Sequence, residues 1–322
     1  MKLCVNPGWS SEAGIPIMNS PLTAMHLLEG AVDSHIHCAP HINERTVTAF
    51  DAVRQAAAAG MRGIGILDIF GNTSGLAALA MRELGHLGVD VFGGVILEPY
   101  VGGVSVRTVE AALKIGYGRG CGARYISLPC HHTQYIARAE KRSPAFIESC
   151  FAVPAKDPIP DPLPEILDLI AEADVVFNTG HIAAYEVVRV IEEARKRGVK
   201  RIVSPASYFS VDEARAVADL GAWCEFAFFV MSHATQVGQT MSDKEKHRFP
   251  FVTLASVAEK IRAIGLARTI LSSDSGSYVL PPPVEAFREF LIMIQSAGFS
   301  DDEMRLMSGP NPAAAFLRDA AT

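Results

Sequence analysis

The chain has 322 residues, of which 49% are hydrophobic and 20% charged, and its formal net charge at pH 7 is −6. This apolar content is sufficient for a sizeable core and excludes a disordered chain. The negative charge, without any stretch rich in lysine and arginine, argues against a nucleic-acid partner. No stretch reaches the roughly 20 consecutive apolar residues of a membrane span, so we expect no membrane association.

The six cysteines are scattered along the chain without paired spacing, which is typical of reduced thiols in a cytosolic protein. The first residues lack a basic region followed by a long apolar segment. We therefore expect a cytoplasmic protein. We also expect its partners to be a small-molecule substrate and further copies of itself in a homo-oligomer.

Apolar, β-branched runs alternate with amphipathic helical patterns from residue 31 onwards, and this alternation indicates βαβ units with a parallel sheet. Residues 1–30, rich in proline and glycine, predict a lead-in segment that packs on the body of the protein. The predicted strands are 31–37, 62–69, 90–97, 123–129, 174–179, 200–204, 221–227 and 268–273. The predicted helices are 46–59, 74–86, 105–116, 161–173, 183–197, 210–219, 253–265 and 284–297.

Eight such units favour a single (β/α)8 TIM barrel of the α/β class over residues 31–322. An open doubly wound sheet fits less well, because no Gly-x-Gly-x-x-Gly turn follows the first strand. Two long connections, 131–160 after the fourth strand and 228–252 after the seventh, predict loops that contact substrate on the catalytic face.

Two histidines close the first strand, in Ala31-Val-Asp-Ser-His-Ile-His37. Side chains alternate between the faces of a strand, so His35 and His37 point the same way, and imidazole is the commonest protein ligand for transition metals. Asp33 is in phase with them one step deeper, where it could orient a ligand. Two solvated surface histidines are the alternative interpretation.

Further ligand-type residues occur where two other predicted strands end. Strand five runs into Thr179-Gly-His181, and strand eight into Ser272-Ser-Asp274. The carboxyl ends of barrel strands meet on one face. Three histidines and an aspartate there form a set suited to Zn, Fe or Mn, and an aspartate beside a metal-bound water can act as its general base.

The order of these motifs, with Asn311-Pro312-Ala in the last helix, resembles the amidohydrolase superfamily of metal-dependent (β/α)8 hydrolases. The resemblance covers about residues 31–318. Four further motifs are similar to an uncharacterised amidohydrolase-like branch: Gly93-Gly-Val-Ile-Leu97, Val101-Gly-Gly103, Gly60-Met-Arg62 and Phe70-Gly-Asn-Thr73.

The resemblance implies that His35, His37, His181 and Asp274 bind the metal and that Asp274 also takes a proton from the attacking water. It implies hydrolysis of a C–N or C–O bond, in an amide, lactam, lactone or ester of a small molecule. The expected cofactor is one divalent transition-metal ion, Zn first, with Mn or Fe as alternatives.

Three residues depart from the pattern of that branch. Leu67 and Ile69 stand where the branch has a lysine and a histidine at the end of strand two, which excludes a bridging carboxylated lysine there. Ser204 stands where strand six is expected to supply a histidine. The ligand-type residues that remain predict a single metal ion. They also leave two alternatives open: a catalytically degenerate barrel that serves as a structural or regulatory subunit, and a metal-dependent decarboxylase or lyase.

Two more residues are candidates for the catalytic site. His132, after strand four, is expected to point into the barrel mouth, and Arg45 to bind a substrate carboxylate through two hydrogen bonds. Four others either join the site or are solvated or capping groups: Asp68, Glu98, His131 and Glu225.

Cysteines and aromatic residues near the strand ends have simpler interpretations. Cys38 and Cys130 are placed like nucleophiles, but buried cysteines are usually inert. Tyr208 and the apolar run 226–231 predict a pocket wall or plain core.

Overall fold

A computed structural model describes residues 24–116, 122–237, 239–240 and 246–318. Its central feature is an eight-stranded sheet whose strands are parallel and lie in chain order. Its strands are β1 (Val32–Ile36), β2 (Gly63–Ile66), β3 (Asp90–Ile96), β4 (Tyr125–Ser127), β5 (Val176–Asn178), β6 (Ile202–Pro205), β7 (Trp223–Ala227) and β10 (Thr269–Ser272). An antiparallel ribbon between β7 and β10 consists of β8 (Gln239–Thr240) and β9 (Lys246–His247).

The sheet closes into a barrel where β10 meets β1. The backbone N–H of His37 donates to the carbonyl of Ser275 at 2.7 Å, and the N–H of Asp274 donates to the carbonyl of His35 at 2.8 Å. The protein is therefore a (β/α)8 barrel, as the alternation of strand and helix patterns predicts.

Helices surround the barrel and bury one apolar stripe each. In the helix after β5, the buried Val187, Val190, Ile191 and Ala194 recur at three- and four-residue spacing. The helices are α1 (Ala49–Ala58), α2 (Ser74–Leu84), α3 (Val106–Lys114), α4 (Gln134–Ala139), α5 (Pro144–Ser149), α6 (Leu163–Ala173), α7 (Ala184–Lys196), α8 (Val211–Asp219), α9 (Ala234–Val237), α10 (Leu254–Ile264), α11 (Pro283–Ser296), α12 (Asp301–Ser308) and α13 (Pro310–Phe316).

The sequence-based predictions of strands and helices are confirmed, with shorter strands than expected. Residues 67–69, for example, follow β2 as loop rather than strand. The long connection 131–160 contains α4 and α5, which were not predicted because each is only six residues long. Of the predicted lead-in, residues 1–23 lie outside the described residues, and Met25–Leu27 form a short 3-10 helix with Leu27 buried.

The barrel interior is packed at its amino-terminal end, which leaves the other end for a site. Side chains from successive strands fill this interior, and the α13 residue Phe316 stacks on Phe92 with ring centroids 5.1 Å apart. In the same region Arg124, before β4, donates to the carbonyl of Phe316. No helix within the described ranges is long and apolar enough to cross a bilayer.

Candidate metal centre

A small cavity of about 70 Å³ opens at the carboxyl ends of the strands. Its polar lining includes His35, His37, Arg45, His181 and Asp274, from the ends of β1, β5 and β10 and the loop after β1. The rest of the wall is largely apolar, and includes Ile69, Phe70, Ile96, Phe229, Val230 and Phe249. A cluster of polar groups beside an apolar wall is typical of a small-molecule site.

Two histidines and one aspartate converge inside this cavity. Nε2 of His35 lies 3.3 Å from Oδ1 of Asp274, and Nε2 of His37 lies 3.0 Å from the same oxygen. One ligand atom from each residue lies within 4.8 Å of the others. Because imidazole nitrogens and carboxylate oxygens are the ligands that Zn and similar ions prefer, the three groups form a possible metal site.

The backbone fixes the orientation of the His37 ring. Nδ1 of His37 lies 2.8 Å from the carbonyl oxygen of Leu67, so Nδ1 carries the proton and donates it. The lone pair of the neutral ring is then on Nε2 and faces Asp274. A lone pair and a carboxylate oxygen repel each other unless a proton or a cation lies between them, so this geometry suits a bound cation.

His35 is held by a second carboxylate. Its Nδ1 lies 3.5 Å from Oε1 of the buried Glu225, which also accepts a hydrogen bond from Ser34 Oγ at 3.4 Å. Burial by itself lowers the pKa of His35, but the charge of Asp274 and the contact with Glu225 raise it to about 9. A metal ion that binds His35 must therefore displace a proton at neutral pH.

Asp33 supports the backbone beneath the site rather than an imidazole ring. Its buried Oδ1 accepts hydrogen bonds from the N–H groups of Ser273 at 2.9 Å and His35 at 3.3 Å. Burial raises the pKa of Asp33 to about 7, although these hydrogen bonds oppose the shift. Asp33 thus joins β1 to the end of β10.

Asp274 sits in an uncommon backbone conformation. Its φ of +47° lies in the left-handed region, which residues other than glycine seldom adopt. Two residues on, a Cβ added to Gly276 would lie 1.8 Å from the carbonyl oxygen of His37, so only glycine permits this approach of the two strand ends. Burial raises the pKa of Asp274, but the charge of His35 and the proximity of His37 outweigh burial and keep it below its usual value.

His181 lines the same cavity but lies outside the set of three. Gly180 before it has φ +62°, and a Cβ there would lie 2.5 Å from the carbonyl oxygen of Leu128, so the turn needs glycine. Burial lowers the pKa of His181 and keeps the ring neutral. Its buried Nδ1 has no hydrogen-bond partner among the residues that the structure describes. A neutral imidazole with an unpartnered nitrogen fits a metal ligand, and its role as the fourth ligand stays a prediction.

The sequence of residues 30–225 matches the model of a family of unknown function (DUF6282). The chain belongs to this family. No curated protein matches it.

Many solved structures resemble the whole barrel. An amidohydrolase from Pseudomonas aeruginosa is 10% identical with a TM-score of 0.55, over 91% of this chain and 97% of that one. A triple mutant of organophosphorus hydrolase from Deinococcus radiodurans is 15% identical, with a TM-score of 0.53 over 91% and 94%. A TatD homologue from Escherichia coli K12 is 14% identical, with a TM-score of 0.51 over 91% and 100%. At these identities the likeness concerns the fold, and it confirms the resemblance to amidohydrolase-type barrels at that level.

In this member of DUF6282, Glu98 organises the loop after β4. Its fully buried carboxylate accepts hydrogen bonds from the N–H of Cys130 at 2.7 Å, the N–H of His131 at 2.6 Å and Nδ1 of His132 at 2.8 Å. His132 is therefore held against Glu98 and the ring of Tyr100, and its neighbour His131 lines the cavity. This placement differs from the expectation that His132 points into the barrel mouth, and its catalytic role stays a prediction.

Arg45 lines the cavity from the loop after β1. Its Nη2 lies 2.7 Å from Nε2 of His41, and its Nε is buried without a hydrogen-bond partner among the described residues. Oδ1 of Asp68 lies 3.3 Å from the same His41 nitrogen, so Asp68 contacts His41 and is not one of the three converging groups.

The residues that depart from the amidohydrolase-like pattern have structural roles. Leu67 packs in the barrel interior and orients His37 through its carbonyl group, and Ile69 forms part of the cavity wall. Ser204 accepts a hydrogen bond from Thr179 Oγ1 at 2.9 Å. None of these three side chains carries an imidazole, thiolate or carboxylate group that could bind the metal.

The cysteines do not have the properties of nucleophiles. Burial raises the pKa of Cys38 to about 12 and raises the pKa of Cys130 strongly. Both remain thiols at neutral pH, and the thiol is the unreactive form.

Tyr208 is a polar group of the site that sequence reasoning assigned to an apolar wall. It follows β6 and lines the cavity, and its buried hydroxyl has no hydrogen-bond partner within the described part of the chain. The one available signal was its position three residues after Pro205, where β6 ends on the catalytic face.

Proposed function

We propose that the protein is a metal-dependent hydrolase of a small molecule, with one divalent transition-metal ion held by His35, His37 and Asp274 and with His181 as the fourth ligand. The observation that carries this proposal is the convergence of two histidine nitrogens on one oxygen of Asp274. The similar structures named amidohydrolase and organophosphorus hydrolase support hydrolysis as the reaction class. Zn is the ion that this donor set favours, and Mn or Fe also accept it.

A divalent ion in this position supplies Lewis acidity, which lowers the pKa of water and polarises a carbonyl or ester oxygen. The protein's own part begins with orientation. Glu225 and the carbonyl of Leu67 restrain the rings of His35 and His37, so both present Nε2 to the cavity.

Asp274 is the proton acceptor in this proposal. Its pKa lies below the usual value, so it is a carboxylate at neutral pH and can take a proton from the attacking water. The water oxygen forms a bond to the carbonyl carbon, the C–N or C–O bond breaks, and the proton passes from Asp274 to the leaving nitrogen or oxygen. The unpartnered hydroxyl of Tyr208 donates to the oxygen on which negative charge develops.

Metal content tests the site directly. Protein prepared without chelators and analysed by inductively coupled plasma mass spectrometry should contain about one transition-metal ion per chain. His35→Ala should lose the ion, because it removes one of three converging ligands. His86→Ala is the matched control, since His86 is exposed in the 3-10 turn Gly85–Leu87 that follows α2 and should leave the content unchanged. Unchanged metal content in His35→Ala would refute the assignment.

Turnover tests the reaction class. A panel of lactones, cyclic amides and simple esters should include compounds that the metal-loaded protein hydrolyses and the chelator-treated protein does not. Asp274→Asn should abolish that activity while the protein still folds, because an amide cannot accept the proton. Activity that persists after complete metal removal contradicts the mechanism. A metal-loaded protein that hydrolyses nothing in the panel favours the degenerate barrel instead.

A further inference from the structure

Arg45, in the cavity wall, lies next to His41, and the His41 nitrogen that faces it is itself a hydrogen-bond donor. The N–H of Asn43 donates to Nδ1 of His41 at 2.9 Å, so the proton of the neutral ring is on Nε2. That Nε2–H has an acceptor in Oδ1 of Asp68, 3.3 Å away. His41 is therefore a donor at Nε2, already directed at a carboxylate.

Arg45 approaches the same nitrogen as a second donor. Its Nη2 lies 2.7 Å from Nε2 of His41, and a guanidinium group has no acceptor atom, so no hydrogen bond joins the two. The adjacent Nε of Arg45 is buried and has no partner among the described residues. The Nε–Nη2 edge of this side chain thus lacks an acceptor within the described part of the protein.

The charge on Arg45 is also uncompensated at close range by any of the residues that the structure describes. Burial lowers its pKa, yet a guanidinium stays protonated in proteins, so the charge persists inside the wall. Asp68 and Asp274 attract it from a distance, but neither forms an ion pair with it. A partly buried cation without a bound acceptor costs stability, and an anionic ligand would offset that cost.

The shape and charge of the surroundings select the kind of anion. The Nε–Nη2 edge presents two parallel N–H groups, which match the two oxygens of one carboxylate. Asp68 and Asp274 stand near this single cation and disfavour a dianion such as a phosphate monoester. Phe70, Phe229 and other apolar side chains form part of the remaining wall, against which an apolar body can pack.

From these observations we infer that the substrate of the hydrolase proposed above is a small monocarboxylate with an apolar or aromatic body. Its carboxylate binds the Nε–Nη2 edge of Arg45, and its scissile bond faces the ends of β1 and β10. The inference rests on the proposed function for the reaction, but the binding of the carboxylate does not require the metal.

Isothermal titration calorimetry on the metal-free protein tests the binding step alone. The probes are benzoate and cyclohexanecarboxylate, with benzamide as the uncharged analogue of the same shape. Both acids should bind with a Kd below about 1 mM. Benzamide should bind about tenfold to a hundredfold more weakly, because it loses the free energy that a hydrogen bond between charged groups contributes. Arg45→Gln should remove this preference, whereas Arg54→Gln, which changes an exposed arginine of α1, should keep it.

Each remaining outcome decides against the inference. Equal binding of benzoate and benzamide, no binding of either acid, or a preference that survives in Arg45→Gln would overturn it. If Arg45→Gln does not fold, Arg45→Lys is the second variant. It retains the charge without the two parallel N–H groups and should bind benzoate more weakly than the native protein.

Repeating the titrations with Zn-loaded protein separates the two proposals. The preference for acids could appear only with Zn and be unaffected by Arg45→Gln. The carboxylate would then bind the ion rather than Arg45, which overturns the inference and leaves the proposed metal site intact. Conversely, a protein that holds no metal but prefers benzoate through Arg45 refutes the hydrolase and leaves the carboxylate site intact.

Discussion

Single residues in the cavity carry polar atoms that the fold leaves without partners. Nε of Arg45, Nδ1 of His181 and the hydroxyl of Tyr208 are buried and unpaired within the described residues, although native proteins pair nearly all such atoms. Each unpaired group costs about 1–3 kcal/mol of stability. Groups of this kind gathered in one cavity indicate a site arranged for a ligand rather than for the stability of the free protein.

Tyr208→Phe tests whether the unpaired hydroxyl serves the reaction. The change removes a buried group without a partner, so the free energy of unfolding should stay the same or rise by about 1 kcal/mol. Turnover by the metal-loaded protein should fall by about a hundredfold if the hydroxyl stabilises developing charge. Urea denaturation and steady-state kinetics measure the two effects.

Tyr278→Phe, at an exposed tyrosine, is the control for Tyr208→Phe and should change neither quantity. A Tyr208→Phe variant that loses stability and keeps full activity would show that the hydroxyl is structural.

Strand periodicity explains how much of the site the sequence could predict. His35 and His37 share a face because side chains alternate along β1, and they meet Asp274 because barrel strands end on one face. Loop side chains obey no such period. His131 rather than His132 lines the cavity because Glu98, which follows β3, binds the ring of His132, and a contact over 34 residues leaves no local pattern in the sequence.

At the scale of structural elements, the loop after β4 is held by a single buried charge, Glu98. The hydrogen bonds to Glu98 hold its pKa below the usual value of a glutamate, because with the charges of His131 and His132 they outweigh the effect of burial. A carboxylate whose pKa is lower in the folded state than in the unfolded state stabilises the fold above its unfolded pKa. That contribution is lost as the pH falls below about 4.5 and through the folded pKa.

Glu98→Gln should therefore destabilise the protein at pH 7, by about 1–3 kcal/mol for the lost charged hydrogen bonds. The difference from the native protein should shrink as the pH falls below about 4.5, because Glu98 itself becomes protonated there. Denaturant unfolding between pH 3 and pH 7 measures this. Glu148→Gln, at an exposed glutamate of α5 in the same connection, should show neither effect. A difference that is constant with pH would contradict the assigned role of the charge.

At the scale of the whole molecule, the three converging groups His35, His37 and Asp274 come from the ends of the first and last strands of the barrel. His37 and Asp274 are 237 residues apart, and both lie where backbone hydrogen bonds close the sheet. A ligand that binds only the folded protein stabilises it, by about 2.7 kcal/mol when its concentration is a hundred times its Kd. Zn should therefore raise the unfolding midpoint of the native protein and of His86→Ala but not of His35→Ala, as measured by thermal denaturation. Equal increases in all three would show that Zn acts elsewhere.

The distance along the sequence between the histidines and Asp274 also affects the order of events during synthesis on the ribosome. A nascent chain that has reached β7 already contains His35, His37 and His181, yet it lacks the carboxylate on which the first two histidines converge and the strand that seals the barrel beside them. The proposed ion can be captured with its full set of ligands only after residue 274 has left the exit tunnel. Prematurely terminated chains would then compete poorly for the cell's supply of the ion.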